Sequence, residues 1–188
     1  MKRIDNRSEF DLGWKKAKNL IRKNLARICR NVMREMLEDS INHYYDERAN
    51  LTGNLINSFA VGFYIDGKLR DILLAHDVGL NKATYMYVSV GEGGFKDWDT
   101  GETVDFVKPY RDENLSFQST EKGYGEKSAE EFLRSFRGVA SNGISIVIVA
   151  AAPYAEYLKN KRKLDILTNT RLDTPSIFNR NLKPMNDD

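Results

Sequence analysis

From Trp14 onward the apolar residues Trp14, Ala17, Ile21, Leu25, Ile28, Val32 and Met36 recur at spacings of three and four. That interval keeps one stripe on one face of a helix, so the pattern predicts an α-helix from Trp14 to about Tyr45. No Gly or Pro follows Gly13 within it, and Ser8 or Asp11 is positioned to cap its start. At about 1.5 Å per residue such a helix runs to about 45 Å, longer than a compact domain needs for its own core. Part of the stripe is therefore expected to pack on a neighbour.

The period then changes. In "LTGNLINSFAVGFYIDGKLRDILL", Thr52 reads as the N-cap of a short helical turn through Leu55 and Ile56. Phe59, Val61 and Phe63 then alternate with smaller or more polar neighbours, as in a half-buried strand. Asp66-Gly67 is a type I′ turn signal, and Leu69 to Leu74 is the expected return strand of a hairpin. "TYMYVSVGEG" (84–93) reads as a third strand. Residues 91–127 carry six glycines, many acids and isolated aromatics, and they predict a projecting loop or an extra hairpin.

"SAEEFLRSF" (128–136) opens with Ser128 and Glu131 in capping-box spacing and predicts a short helix ended by Gly138. "ISIVIVAAA" is the most β-prone segment, which predicts a central strand buried on both faces and stopped by Pro153. A helix is expected over "YAEYLKNKRK", and the tail from Asp165 onward, with Pro175 and Pro184, reads as a short strand or extended arm followed by a fraying end. The sum is a single α+β domain over 1–188. Its parts are a helical arm (1–46), a mostly antiparallel sheet core with short helices (50–90 and 128–165), an insertion (91–127) and an extended tail (166–188).

The formal net charge of +2 hides a strong polarity. Residues 1–30 hold ten Lys/Arg against three Asp/Glu, whereas residues 46–135 hold ten against sixteen. Such a protomer suits head-to-tail packing of copies, or one basic face near a polyanion. With no signal-like leader and no run of 18 apolar residues, synthesis in the cytosol and no membrane partner are expected. Cys29 lies on the apolar side of the first helix and reads as a buried structural thiol.

Catalytic, cofactor-binding and metal-binding patterns are not found in the sequence. His43 and His76 are 33 positions apart without a second ligand at metal spacing. The adjacent acids Asp46-Glu47, Asp112-Glu113 and Glu130-Glu131 sit in polar surroundings and read as solvated faces. Glu-x-Lys is absent, Asp66-Gly67-Lys68 is explained by the turn, "GEGG" (91–94) lacks the Lys of a phosphate loop, and no Gly-x-Ser-x-Gly occurs. The basic positions Lys15, Lys16, Lys18, Arg22, Lys23 and Arg27 remain as a candidate polyanion contact.

Two stretches carry a resemblance. Thr52, Gly53, Asn54, Leu55, Ser58 and Phe59 precede the hairpin, and Ala152, Pro153, Tyr154, Ala155, Glu156 and Tyr157 form the corner after the apolar strand. With the long N-terminal helix before them, they resemble the neck and tail-completion proteins (minor tail, head-tail joining) of long-tailed phages. The family usually follows its Tyr-Ala corner with a Glu-Phe-Gly-Thr-like turn, and here "LKNKRK" stands instead. The resemblance implies a non-enzymatic virion protein without cofactors. It would be a homo-oligomeric ring, a neck adaptor or tail terminator, meeting a portal or adaptor on one side and tail proteins on the other. The candidate interface residues are Trp14, Ile21, Ile28, Thr52, Gly53, Trp98, Phe106, Tyr110, Tyr154 and Tyr157. The other reading is a nucleic-acid-associated accessory protein that holds DNA through the basic helix.

Overall fold

A computed structural model describes residues 7–44, 52–87, 94–97, 100–105, 123–152, 155–162 and 167–182. The architecture is α+β. Helix α1 spans Arg7–Tyr44, α2 Asn54–Asn57, α3 Tyr124–Ser135, α4 Ala155–Arg162 and α5 Thr168–Asn181. The strands are β1 (Phe59–Ile65), β2 (Lys68–Leu74), β3 (Tyr85–Tyr87), β4 (Gly94–Asp97), β5 (Thr103–Asp105) and β6 (Ile144–Ala150). They form two three-stranded antiparallel sheets, in the orders β2-β1-β6 and β3-β4-β5.

The first sheet holds the core, covered by helices on both faces. Phe59, Val61, Phe63, Ile146 and Ile148 pack with Val32, Met33, Leu37 and Ile41 of α1. On the other face Ala60, Ile72, Val147 and Val149 pack with Ala129 and Leu133 of α3. This arrangement corrects two expectations about strand position. β1, expected to be half-buried, is the central strand, and Phe59 to Tyr64 are all buried. Its alternation does not divide core from water; it divides large residues under α1 from a face where Ala60 and Gly62 are small enough to let α3 approach, and a Cβ on Gly62 would lie 2.9 Å from Leu133 Cδ2. Among the described residues β6, expected at the centre, lies at the edge of the sheet, with Ile144 41% exposed. Apart from Ser145 it is apolar because both its faces carry helices, which does not require a strand on both sides.

The hairpin forms as expected: Asp66 and Gly67 both have positive φ, 50° and 72°, as a type I′ turn requires. Between Phe63↔Asp71 and Tyr64↔Leu69 the register slips, leaving Arg70 as an extra residue in β2. The third strand belongs to a different sheet: β3 pairs with β4, and β4 with β5, inside the stretch expected to project.

The helix ends also depart from expectation. α1 already includes Ser8, Asp11 and Gly13, so neither capping residue starts it. α3 begins four residues before Ser128, after Gly123 at φ 72°, and stops at Ser135, ahead of Gly138. The expected tail is largely the helix α5, packed on α1 with Ile177 buried and Pro175 on an exposed turn. Proline removes one backbone donor and its ring disfavours the preceding turn. Beside it, Thr174 Oγ1 donates to the Thr170 carbonyl at 2.7 Å. No helix among the described residues is long and apolar enough to cross a membrane.

Candidate functional site: the N-terminal arm and the sheet junction

α1 changes environment halfway along. Ile28, Cys29, Val32, Met33, Met36, Leu37, Ser40, Ile41 and Tyr44 are buried. From Ser8 to Arg27 every residue except Asn24 is exposed, a stretch of about 30 Å at 1.5 Å per residue. Arg30 is the last exposed anchor before that stretch, and its Nε lies 3.1 Å from Asp71 Oδ2 of β2. Beyond it the helix continues as an arm.

The arm keeps the apolar stripe of the buried half. Phe10, Trp14, Ala17, Ile21 and Leu25 fall within a sector of about 80° at 100° per residue, and Ile28 and Val32 continue the same line into the core. Trp14 is 63% exposed, Phe10 72% and Ile21 51%. The two rings alone leave roughly 250 Å² of apolar surface in water, about 6 kcal/mol of burial free energy unused. Lys15, Lys16, Lys18, Arg22, Lys23 and Arg27 are exposed and lie outside that sector, on the remaining face. The arm thus carries an apolar stripe along one side and cations around the remaining surface, where Leu12 and Leu20 are also exposed.

The Thr52–Phe59 stretch is a buried junction. Thr52 and Gly53, candidates for an interface, are enclosed in the fold, as is Ile28 at 8% exposure. Gly53, at φ 78°, precedes α2, and a Cβ there would lie 2.1 Å from the Ala83 carbonyl oxygen. Thr52 is therefore not the capping residue itself, although its Oγ1 accepts from the Asn54 amide at 3.4 Å. Asn57 grips the backbone of Lys82 from both sides, donating from Nδ2 to its carbonyl at 2.9 Å and accepting at Oδ1 from its amide at 2.8 Å. Asn54 Oδ1 accepts from the Gly125 amide at 3.3 Å, which ties α2 to the start of α3. The Ala151 amide donates to the Ser58 carbonyl at 3.1 Å, joining the two stretches that carry the phage resemblance. The small and polar residues of the Thr52–Phe59 stretch are explained by folding.

Of the other interface candidates, Trp98, Phe106, Tyr110 and Tyr154 lie outside the described residues, as does Pro153; Tyr157 lies in α4, with its side chain outside the described part. Cys29 is buried as expected, and burial pushes its thiol pKa up.

One cluster was not legible in the sequence: Asp39, His43 and Asp173 bring their ligand-capable atoms within 4.8 Å of one another. Asp39 and His43 are one helical turn apart, but Asp173 arrives from α5, 130 positions on. Within it His43 Nδ1 sits 3.2 Å from Asp39 Oδ2, which also accepts from Thr170 Oγ1 at 2.7 Å, so these groups satisfy one another. Two shallow depressions among the described residues are lined by charges in pairs: Glu130 with Arg134 beside β2, and Glu35 with Arg180 at the base of the arm. Hydrogen bonds from Arg180 and Asn181 and the Arg180 charge outweigh the partial burial of Glu35 and hold its pKa below the usual carboxylate range. No protein-family model, curated protein or solved structure matches the chain.

Proposed function

We propose that this chain is a structural assembly subunit of the head-to-tail connector or tail-completion class, and that its arm docks on the next copy to build a homo-oligomeric ring in the virion. The observation that carries the reading is the stripe Phe10, Trp14, Ile21 and Leu25, which leaves the core without interruption and ends in water. An apolar face of this extent on an otherwise charged surface marks a protein contact. Charge selects the occupant. Two arms side by side would bring six and six basic residues together, whereas residues 46–135 of a neighbour supply sixteen acids against ten bases. Such a contact joins unlike surfaces and so propagates head to tail, closing a ring when the rotation allows. The portal or adaptor and the tail proteins proposed as its neighbours rest on the phage resemblance alone.

The cationic side of the arm favours a second reading, in which the isolated chain holds duplex DNA. Six exposed cations neutralising six phosphates give a log-log salt slope of about −5. Light scattering combined with a DNA titration at two salt concentrations separates the two. The connector reading predicts particles of many protomers and weak DNA binding. A strict monomer with tight, salt-sensitive DNA binding contradicts it.

A further inference from the structure

The two edges of the main sheet are built differently. β2 carries Lys68, Arg70 and Asp71, with Asp71 paired to Arg30, and the bulge at Arg70 disrupts its ladder. Charges and bulges are the devices by which edge strands avoid pairing with other chains. β6, Ile-Ser-Ile-Val-Ile-Val-Ala, has no charge and no proline, and its register with β1 runs unbroken over seven residues. Among the described residues no strand pairs with its outer side.

The direction of its backbone groups follows from the ladder. The Ala151 amide donates to Ser58, and the Gly143 carbonyl accepts from Asp66, so odd-numbered residues address β1. Ile144, Ile146, Ile148 and Ala150 therefore turn outward. These four residues present four N–H and four C=O groups to the free edge.

We propose that this edge pairs with the β6 edge of a second copy, antiparallel about a two-fold axis at Val147. The register sets Ile144 opposite Ala150 and Ile146 opposite Ile148 of the other copy, so all eight outward groups find partners within the seven-residue length. It lays Val147 beside its own counterpart on the α3 face and brings the isoleucines together on the α1 face, extending both core clusters. The strand is self-complementary in charge, because no ionic group is desolvated. Pairing with a neighbour's β2 edge would instead set Lys68 and Arg70 against this run. The β6 contact is isologous and goes beyond the head-to-tail arm contact; an assembly using both has dihedral symmetry and identical ends. Docking one end to a virion partner would then require the β6 pair to open.

The test uses the full chain carrying Ile21→Glu and Leu25→Glu to disable the arm. Sedimentation equilibrium should find twice the 21.6 kDa protomer mass. Adding Ile148→Pro, which removes an outward amide and no ladder bond, should give a monomer, whereas Ile148→Ala, which loses the same packing against α1 but keeps the amide, should still dimerise. Ile144→Lys, at the most exposed position, should weaken dimerisation at least tenfold without touching the core. Hydrogen exchange at Ile144, Ile146, Ile148 and Ala150 should be at least tenfold slower in the dimer. If the arm substitutions leave particle size unchanged while Ile148→Pro halves it, the edge pairing stands and the arm reading fails. A dimer indifferent to Ile148→Pro and Ile144→Lys overturns the proposal. A monomer whose β6 amides exchange freely also overturns it.

Discussion

Gly53 and Gly79 offer a matched pair of substitutions. Both hold positive φ, 78° and 71°, so alanine at either incurs the left-handed backbone penalty of about 1 kcal/mol. Their surroundings differ. A Cβ at Gly79 meets nothing within 4 Å, whereas at Gly53 it falls 2.1 Å from the Ala83 carbonyl oxygen and 3.0 Å from its carbon. Backbone cannot swing aside as a side chain does, so the 81–84 segment has to move by about 1 Å, an overpacking cost of about 1–3 kcal/mol. That movement loosens the double hydrogen bond between Asn57 and Lys82, at about 1 kcal/mol more. Gly53→Ala should therefore cost about 3–5 kcal/mol and Gly79→Ala about 1. Urea unfolding followed by far-UV circular dichroism reads the difference. With a slope of about 2 kcal/mol/M, the midpoints should fall by about 2 M and about 0.5 M. Equal shifts in the two variants would refute the claim that the Thr-Gly-Asn-Leu stretch is fixed by a folding junction.

Further outcomes follow from the same contacts. Tyr64 Oη donates to the Leu133 carbonyl at 2.6 Å inside the α3 interface, so Tyr64→Phe should cost about 1–1.5 kcal/mol in the same assay. Burial raises the Tyr64 pKa, against a smaller opposing effect of the Arg137 charge. Its contribution is complete below the unfolded value near 10 and is lost as pH climbs through the raised folded value; a stability-pH profile of Tyr64→Phe should be flatter in that alkaline range. Thr170 Oγ1 donates to Asp39 and lies 2.9 Å from Ser40 Oγ, whose single proton is shared between Thr170 and the Met36 carbonyl. Thr170→Val should cost about 1–2 kcal/mol and speed hydrogen exchange in α5 before the rest of the fold. The lowered pKa of Glu35 stabilises the α1–α5 contact above the unfolded carboxylate value, and this is lost as pH falls through the depressed folded one. Arg180→Ala should abolish that acid-side dependence.

Periodicity made α1, the hairpin and the β character of Ile144–Ala150 readable, because each pattern matches one simple geometry. Position in the sheet was not readable. A strand covered by helices on both faces is apolar throughout at the centre or at the edge, and β1 mimicked a half-solvated strand because Ala60 and Gly62 are small to admit α3. The buried half of α1 uses a wider face, including Met33, Leu37 and Ile41, than the single stripe suggested, because sheet and α5 both pack against it. α5 was hidden by Pro175, whose exposed turn let the helix continue on the packing of Ile177. For the site, the sequence showed the arm's basic and apolar residues, but only the fold separated Ile28, Thr52 and Gly53, which serve the core, from Trp14 and Ile21, which do not.

Whether the arm's stripe is covered in solution can be measured on Trp14, made the sole tryptophan by Trp98→Phe. The account predicts that acrylamide quenches Trp14 weakly at tens of micromolar protein, and that Ile21→Glu with Leu25→Glu restores strong quenching and red-shifted emission. Strong quenching in the parent chain, unchanged by those two substitutions, would contradict it.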